Sequence, residues 1–134
     1  MSDQPSGPKC VLLVEDNEDN AAIYKAVLEF SGYEVVHARD GLEAVHFARK
    51  CVPSLILMDI SLPKVDGWEA TAAIKQNPRL QHIPVIALTA HAFEADRVRA
   101  RQMGFTGYMV KPVEPRRVLL EVRLLIGEPP LSAA

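Results

Sequence analysis

The chain has few features that would place it outside the ordinary soluble domains. It holds two cysteines, one tryptophan and no apolar run near the roughly 20 residues that cross a bilayer. Cys10 and Cys51 form no pair with metal-ligand spacing and follow no secretory signal, so reduced thiols in a cytoplasmic protein are expected. His37, His46, His82 and His91 likewise share no ligand spacing, which argues for scattered surface or half-buried imidazoles. Net charge is weak, at -2, so nothing global attracts nucleic acid or an acidic membrane. There is no internal repeat and no linker long enough to divide domains. Residues 1–8 are polar with Pro and Gly, a loose lead-in and not a targeting peptide.

What is present is an apolar fraction of 49% in 134 residues, enough for one domain with a real core. That domain is expected over 9–127, with a short tail at 128–134 and no output domain or DNA-binding motif after it. Val11–Val14, Leu55–Met58 and Val85–Leu88 are continuous apolar runs, the pattern of strands covered on both faces. Glu34–Ala38 and Gly107–Val110 are shorter candidates. Amphipathic stretches separate them. Ile23, Ala26, Val27 and Phe30 fall at i, i+3, i+4 and i+7, predicting the core stripe of a first helix that Ser31-Gly32 stops. Asp40 with Glu43 and Asp66 with Glu69 mark two further helix starts, and Asn77-Pro78 closes the second. Pro115 opens the last helix, whose stripe reads Val118, Leu119, Val122, Leu125 and Ile126. Alternation of five strands with five helices demands a parallel sheet in a three-layer α/β sandwich. The helix over 92–103 stands apart. Arg97, Arg99 and Arg101 crowd it and its apolar set (Phe93, Val98, Met103) is thin, so it reads either as a solvated helix or as the part that moves.

In such a sheet ligands bind beyond the carboxyl ends of the strands. Those ends read Glu15-Asp16, Asp59, Thr89-Ala90 and Lys111-Pro112. Each alone is ordinary cap or surface chemistry. Together they bring three carboxylates, a hydroxyl and an ammonium to one rim. Clustered carboxylates need a cation among them, and an all-oxygen set favours Mg²⁺ over Zn²⁺, with Mn²⁺ as a substitute. A carboxylate beside Mg²⁺ and a Lys is equipped to attack a phosphoryl group and become an acyl phosphate.

Leu13-Val14-Glu15-Asp16-Asn17, Leu57-Met58-Asp59, Leu62-Pro63 with Asp66-Gly67, Leu88-Thr89-Ala90 and Lys111-Pro112 resemble the response-regulator receiver family, from about Lys9 to Ile126. The resemblance implies a flavodoxin-like fold with strand order 2-1-3-4-5. It implies Asp59 as phosphoacceptor, Asp16 as direct metal ligand, Glu15 acting through water, and the backbone carbonyl of Ser61 completing the metal site. Lys111 would pair with the phosphate, across a cis Lys111-Pro112 bond; Thr89 would be the switch hydroxyl and Tyr108 its coupled aromatic. His91 falls where the family tunes acyl-phosphate hydrolysis. Two features depart from the common pattern: Glu-Asp where Asp-Asp is frequent, and Lys64 in the loop after Asp59. Neither removes an essential group. Trp68 reads as packing.

The expected function is a single-domain response regulator that catalyses its own phosphorylation from a phosphodonor and its own dephosphorylation. Its donor would be a histidine kinase or a histidine phosphotransfer protein, docking near Asn20 and Ile23. Readout would use the fourth helix, fifth strand and fifth helix, including Arg97, Arg101 and Tyr108, toward a downstream protein or phosphoryl carrier. A monomer or a phosphorylation-linked dimer is expected, with no direct nucleic acid contact and no membrane insertion. Alternatives are a receiver segment of a hybrid kinase or larger regulator, a Mg²⁺-dependent aspartyl phosphatase, and a flavin module. The phosphatase lacks a second acid at Ser61, and Glu15-Asp16 would repel a flavin phosphate.

Overall fold

The structure, a computed structural model, describes residues 9–61 and 66–129. The lead-in, most of the tail and the expectations placed on Leu62, Pro63 and Lys64 lie outside the described residues. Elements run β1 (Cys10–Val14), α1 (Glu18–Phe30), β2 (Glu34–Ala38), α2 (Gly41–Cys51), β3 (Leu55–Asp59), α3 (Gly67–Gln76), β4 (Val85–Thr89), α4 (Glu94–Met103), β5 (Gly107–Val110) and α5 (Pro115–Ile126). The five strands pair in parallel in the order β2-β1-β3-β4-β5. All five expected strands are present. β3 and β4 each run one residue further than their apolar runs, so that Asp59 and Thr89 become the last residues of buried strands.

Strand alternation divides the core into two. Val11, Leu13, Leu55, Leu57, Ile86, Leu88 and Met109 face α1 and α5. Leu12, Val14, Ile56, Met58, Val85 and Ala87 face α2, α3 and α4. Both faces of β1, β3 and β4 are buried, which is why those strands are written as unbroken apolar runs. Helix starts follow their caps: Asp40 accepts from the Glu43 N–H and Asp66 from the Glu69 N–H, each at 2.9 Å.

The first helix corrects the sequence expectation. Its core stripe is Ala21, Tyr24 and Leu28, whereas Ile23 is 50% and Phe30 94% exposed. Both sets have helical spacing, and the chain contains two apolar stripes on one helix. Which one turns inward is decided by the sheet: Tyr24 and Leu28 fill the layer against α5 and Tyr33. In α5, Val118 and Val122 are buried as expected, but Leu125 is exposed. In α4 only Ala100 is buried; Phe93 lies before the helix and, like Val98, is exposed, while Met103 packs on the core.

This orientation predicts opposite outcomes for two neighbouring truncations. Leu28→Ala should cost about 2–5 kcal/mol in denaturant unfolding, whereas Phe30→Ala should stay within about 0.5 kcal/mol of wild type. Equal losses would mean that α1 is turned the other way.

Candidate functional site

The carboxyl ends of β1, β3, β4 and β5 bring Glu15, Asp59, Thr89 and Lys111 to one rim. Glu15 is fixed by its backbone, with its N–H donating to Ala38 O at 3.0 Å and its carbonyl 2.7 Å from His37 Nε2. Its side chain is fully buried, and Oε2 accepts from the Asn17 N–H at 3.1 Å. Asn17 then caps α1 through the Asn20 N–H, so the turn that positions Glu15 also starts the helix. Asp59 is 2% exposed, with Oδ1 accepting from the Ser61 N–H at 2.8 Å. Gly67 is required beside it. A Cβ there would lie 2.3 Å from the Asp59 carbonyl oxygen, so only glycine lets α3 start this close to β3.

Lys111 joins the two buried acids. Its Nζ lies 2.8 Å from Asp59 Oδ2 and 2.8 Å from Glu15 Oε1. The Asp59 contact is a hydrogen bond; the Glu15 contact is an ion pair without good hydrogen-bond geometry, leaving Oε1 a buried acceptor with unused capacity. Burial by itself would lower the Lys111 pKa, but its bonds to Asp59 and Glu15 outweigh that and raise it. The Lys111-Pro112 peptide is cis, as the resemblance implied.

Glu15, Asp16 and Asp59 each offer a carboxylate oxygen, all within 4.8 Å of one another. Asp16 is exposed and the other two are buried, so this set opens to solvent on one side. Three hard oxygens, the spare capacity of Glu15 Oε1 and the absence of sulfur or imidazole donors from the cluster fit a divalent cation of the Mg²⁺ type.

Thr89 and Tyr108 sit toward the other face. Thr89 continues the parity of Val85 and Ala87, and Tyr108 packs against the same core layer. Thr89 Oγ1 accepts from the His91 N–H at 3.1 Å, and the Tyr108 hydroxyl donates to His91 O at 3.2 Å. Arg97 lies over the Tyr108 ring, 4.7 Å from its centroid. Arg97, Arg101 and Tyr108 border one shallow hollow. Asn20 and Ile23 line a separate cavity of about 440 Å³ with Tyr24, Lys111, Pro112 and Pro115, directly beside the acid cluster.

Some contacts had no sequence signal. Arg99 lies over the Trp68 ring at 4.1 Å, and Trp68 meets Phe105 edge-on at 5.5 Å, so Trp68 is packing but with a charged lid. The supporting bond from His37 to Glu15 was missed because the two residues are 22 apart and meet only when β2 pairs with β1. His91 stacks on Phe93 with ring centroids 5.2 Å apart.

The response regulator receiver domain model matches residues 11–123. The chain belongs to the response regulator receiver family. It is 46% identical to a polar-differentiation response regulator DivK from Brucella anthropi over 121 residues, covering 90% of this chain and 98% of that protein. The Vibrio cholerae chemotaxis protein CheY4 superposes with a TM-score of 0.84 at 28% identity, covering 89% of this chain and 99% of that one. The receiver domain of a Pseudomonas aeruginosa sensor histidine kinase, crystallised with a magnesium ion coordinated in its active site cleft, gives 0.82 at 36% identity, covering 91% and 100%. The fold is thus the flavodoxin-like arrangement of this family, and the acid cluster fits its divalent-metal chemistry. Among the described residues no helix is long and apolar enough to cross a membrane.

Glu15 allows a direct test of the cluster. Burial lifts its carboxyl above the ordinary value of 4.5, against the lowering pull of Lys111 and the Asn17 N–H. An acid raised on folding costs stability where both states are ionised; the cost disappears below the ordinary value, where both hold the proton. Glu15→Gln is therefore expected to raise the melting temperature of the metal-free protein at pH 7 and to leave it unchanged well below pH 4.5. The same variant should weaken Mg²⁺ binding roughly 10–100-fold, measured by calorimetric titration. A lower melting temperature at pH 7 would refute the buried-charge account.

Proposed function

We propose that this receiver takes a phosphoryl group onto Asp59 from a phosphohistidine donor and uses it to shift Thr89, Tyr108 and α4. The observation that carries the reading is the single ammonium of Lys111 held 2.8 Å from the buried Asp59 within a three-carboxylate cluster. An Asp59 oxygen attacks phosphorus while the P–N bond to the donor imidazole breaks, and the imidazole nitrogen keeps the electron pair. Lys111 and the Ser61 N–H hold the Asp59 carboxylate in place for that attack. Mg²⁺ held by Glu15, Asp16 and Asp59, with the Ser61 carbonyl, would offset charge on the phosphoryl oxygens; Mn²⁺ has the same ligand preference.

The switch starts from the bonds now seen. Thr89 accepts from the His91 N–H, and its hydroxyl, within reach of Tyr108, would redirect its proton to a phosphoryl oxygen on Asp59. Moving Thr89 toward the rim vacates space on the α4 side. Tyr108 can then leave its bond to His91 O and its contact with Arg97 and turn inward. The readout face is α4, β5 and α5 with Arg97 and Arg101, directed at a protein or a further phosphoryl carrier. Donor docking uses the cavity beside the site, where Asn20 and Ile23 stand next to Lys111 and Pro112.

With acetyl phosphate and Mg²⁺, wild-type protein should gain one phosphoryl mass and Asp59→Asn none, by intact-mass spectrometry. A folded, Mg²⁺-binding wild type that gains none would overturn the proposal. Asn20→Arg combined with Ile23→Arg should slow transfer from a phosphorylated histidine donor at least about tenfold, the effect of losing about 1.4 kcal/mol of docking. Labelling by acetyl phosphate should be unchanged in that variant, and equal transfer rates from the donor would place docking elsewhere.

A further inference from the structure

Two thiols lie at the end of the fold opposite Asp59. β1 begins at Cys10 and ends at the acid cluster, while α2 begins at the Asp40 cap and ends at Cys51. Cys10 has the parity of Leu12 and Val14, the β1 residues that pack in one layer with Ala44 and Ala48 of α2. Cys51 follows Ala48 by three residues and Ala44 by seven, which places it on the same helix stripe. The chain then reverses at once. Val52 takes a left-handed conformation with φ 43°, and by Ser54 the backbone N–H donates to Cys10 O at 2.7 Å. The chain leaving α2 is thereby bonded to the first residue of β1 three residues after Cys51, so each of the two neighbouring segments carries one thiol.

We propose that Cys10 and Cys51 form a peroxide-sensitive dithiol site, in which oxidation joins them as an intrachain disulfide. Their environments divide the work. Cys51 is exposed and Cys10 half-buried. Burial, then the Cys51 charge, then Glu34 on β2 push the Cys10 thiol up to about 11, so at neutral pH it remains protonated and is the slower of the two to attack peroxide.

The chemistry needs one hydroperoxide. The Cys51 sulfur attacks a peroxide oxygen, the O–O bond breaks, and the departing hydroxide takes the thiol proton and leaves as water. Cys51 is then a sulfenic acid. The Cys10 sulfur attacks the Cys51 sulfur, the S–O bond breaks, and hydroxide leaves with the Cys10 proton as a second water. Two thiols and one hydrogen peroxide give one disulfide and two waters. The bond closes a loop of about 40 residues and ties β1 to α2 far from the phosphoryl site.

Hydrogen peroxide added to the folded 134-residue chain, followed by alkylation and intact-mass and peptide analysis, tests the site. The expected result is a mass lower by two hydrogens, a linked Cys10–Cys51 peptide pair and full reversal by dithiothreitol. Asp59→Asn should behave identically, so the result is independent of the phosphorylation reading. Cys10→Ser should stop at the sulfenic acid, trapped by dimedone on Cys51, and Cys51→Ser should leave Cys10 as a free thiol, alkylated once the protein is denatured. Wild type in which Cys51 runs on to sulfinic acid, or links two chains while Cys10 is alkylated, would overturn the proposal.

Discussion

Everything at the rim depends on one ammonium group shared between two buried carboxylates. Glu15 and Asp59 stand buried side by side, and Lys111 meets both at 2.8 Å. The bond also organises the fold, because it ties the ends of β1, β3 and β5 across a sheet in which β5 lies at the edge. Lys111 is itself placed by β-ladder geometry, with its N–H donating to Thr89 O at 2.7 Å. One lysine thus offsets part of the charge of the acid cluster while its backbone runs beside the hydroxyl proposed to move. A phosphoryl group arriving at Asp59 would compete for the same ammonium, which couples chemistry and conformation without any long-range relay.

The same economy explains α4. It buries only Ala100, so packing alone holds it weakly. Two arginines compensate from opposite flanks, Arg97 over Tyr108 and Arg99 over Trp68. Cation–π contacts of this kind contribute on the order of 1 kcal/mol each, enough to set a resting position but small against the free energy of a new phosphoryl contact. The crowding of arginines therefore does not simply decorate a solvated face. Arg97 and Arg99 hold α4 to two separate rings, with the Tyr108 ring as the partner of one of them.

Most of the architecture was legible because its signals are local. Unbroken apolar runs mark strands buried on both sides, acid caps mark helix starts, and chemical groups follow the strand ends. Misreadings arose where two local patterns were equally good. In α1, the stripe from Ile23 to Phe30 and the stripe of Ala21, Tyr24 and Leu28 have the same period, and periodicity cannot rank them. Leu125 in α5 failed for a related reason: the last turn of a helix can keep the period after the sheet beneath it has ended.

By itself the sequence determined the number and type of the elements, their parity, and the identity of the groups delivered to the rim. These are properties of neighbouring residues and need no partner. Only the tertiary structure decided which face of α1 turns inward, that one Lys111 serves two acids, that His37 braces Glu15, and that Ser54 bonds to Cys10 at the start of β1. Each of these joins residues far apart in the chain, and such contacts exist only once parallel pairing and helix packing have paid the entropy of bringing them together.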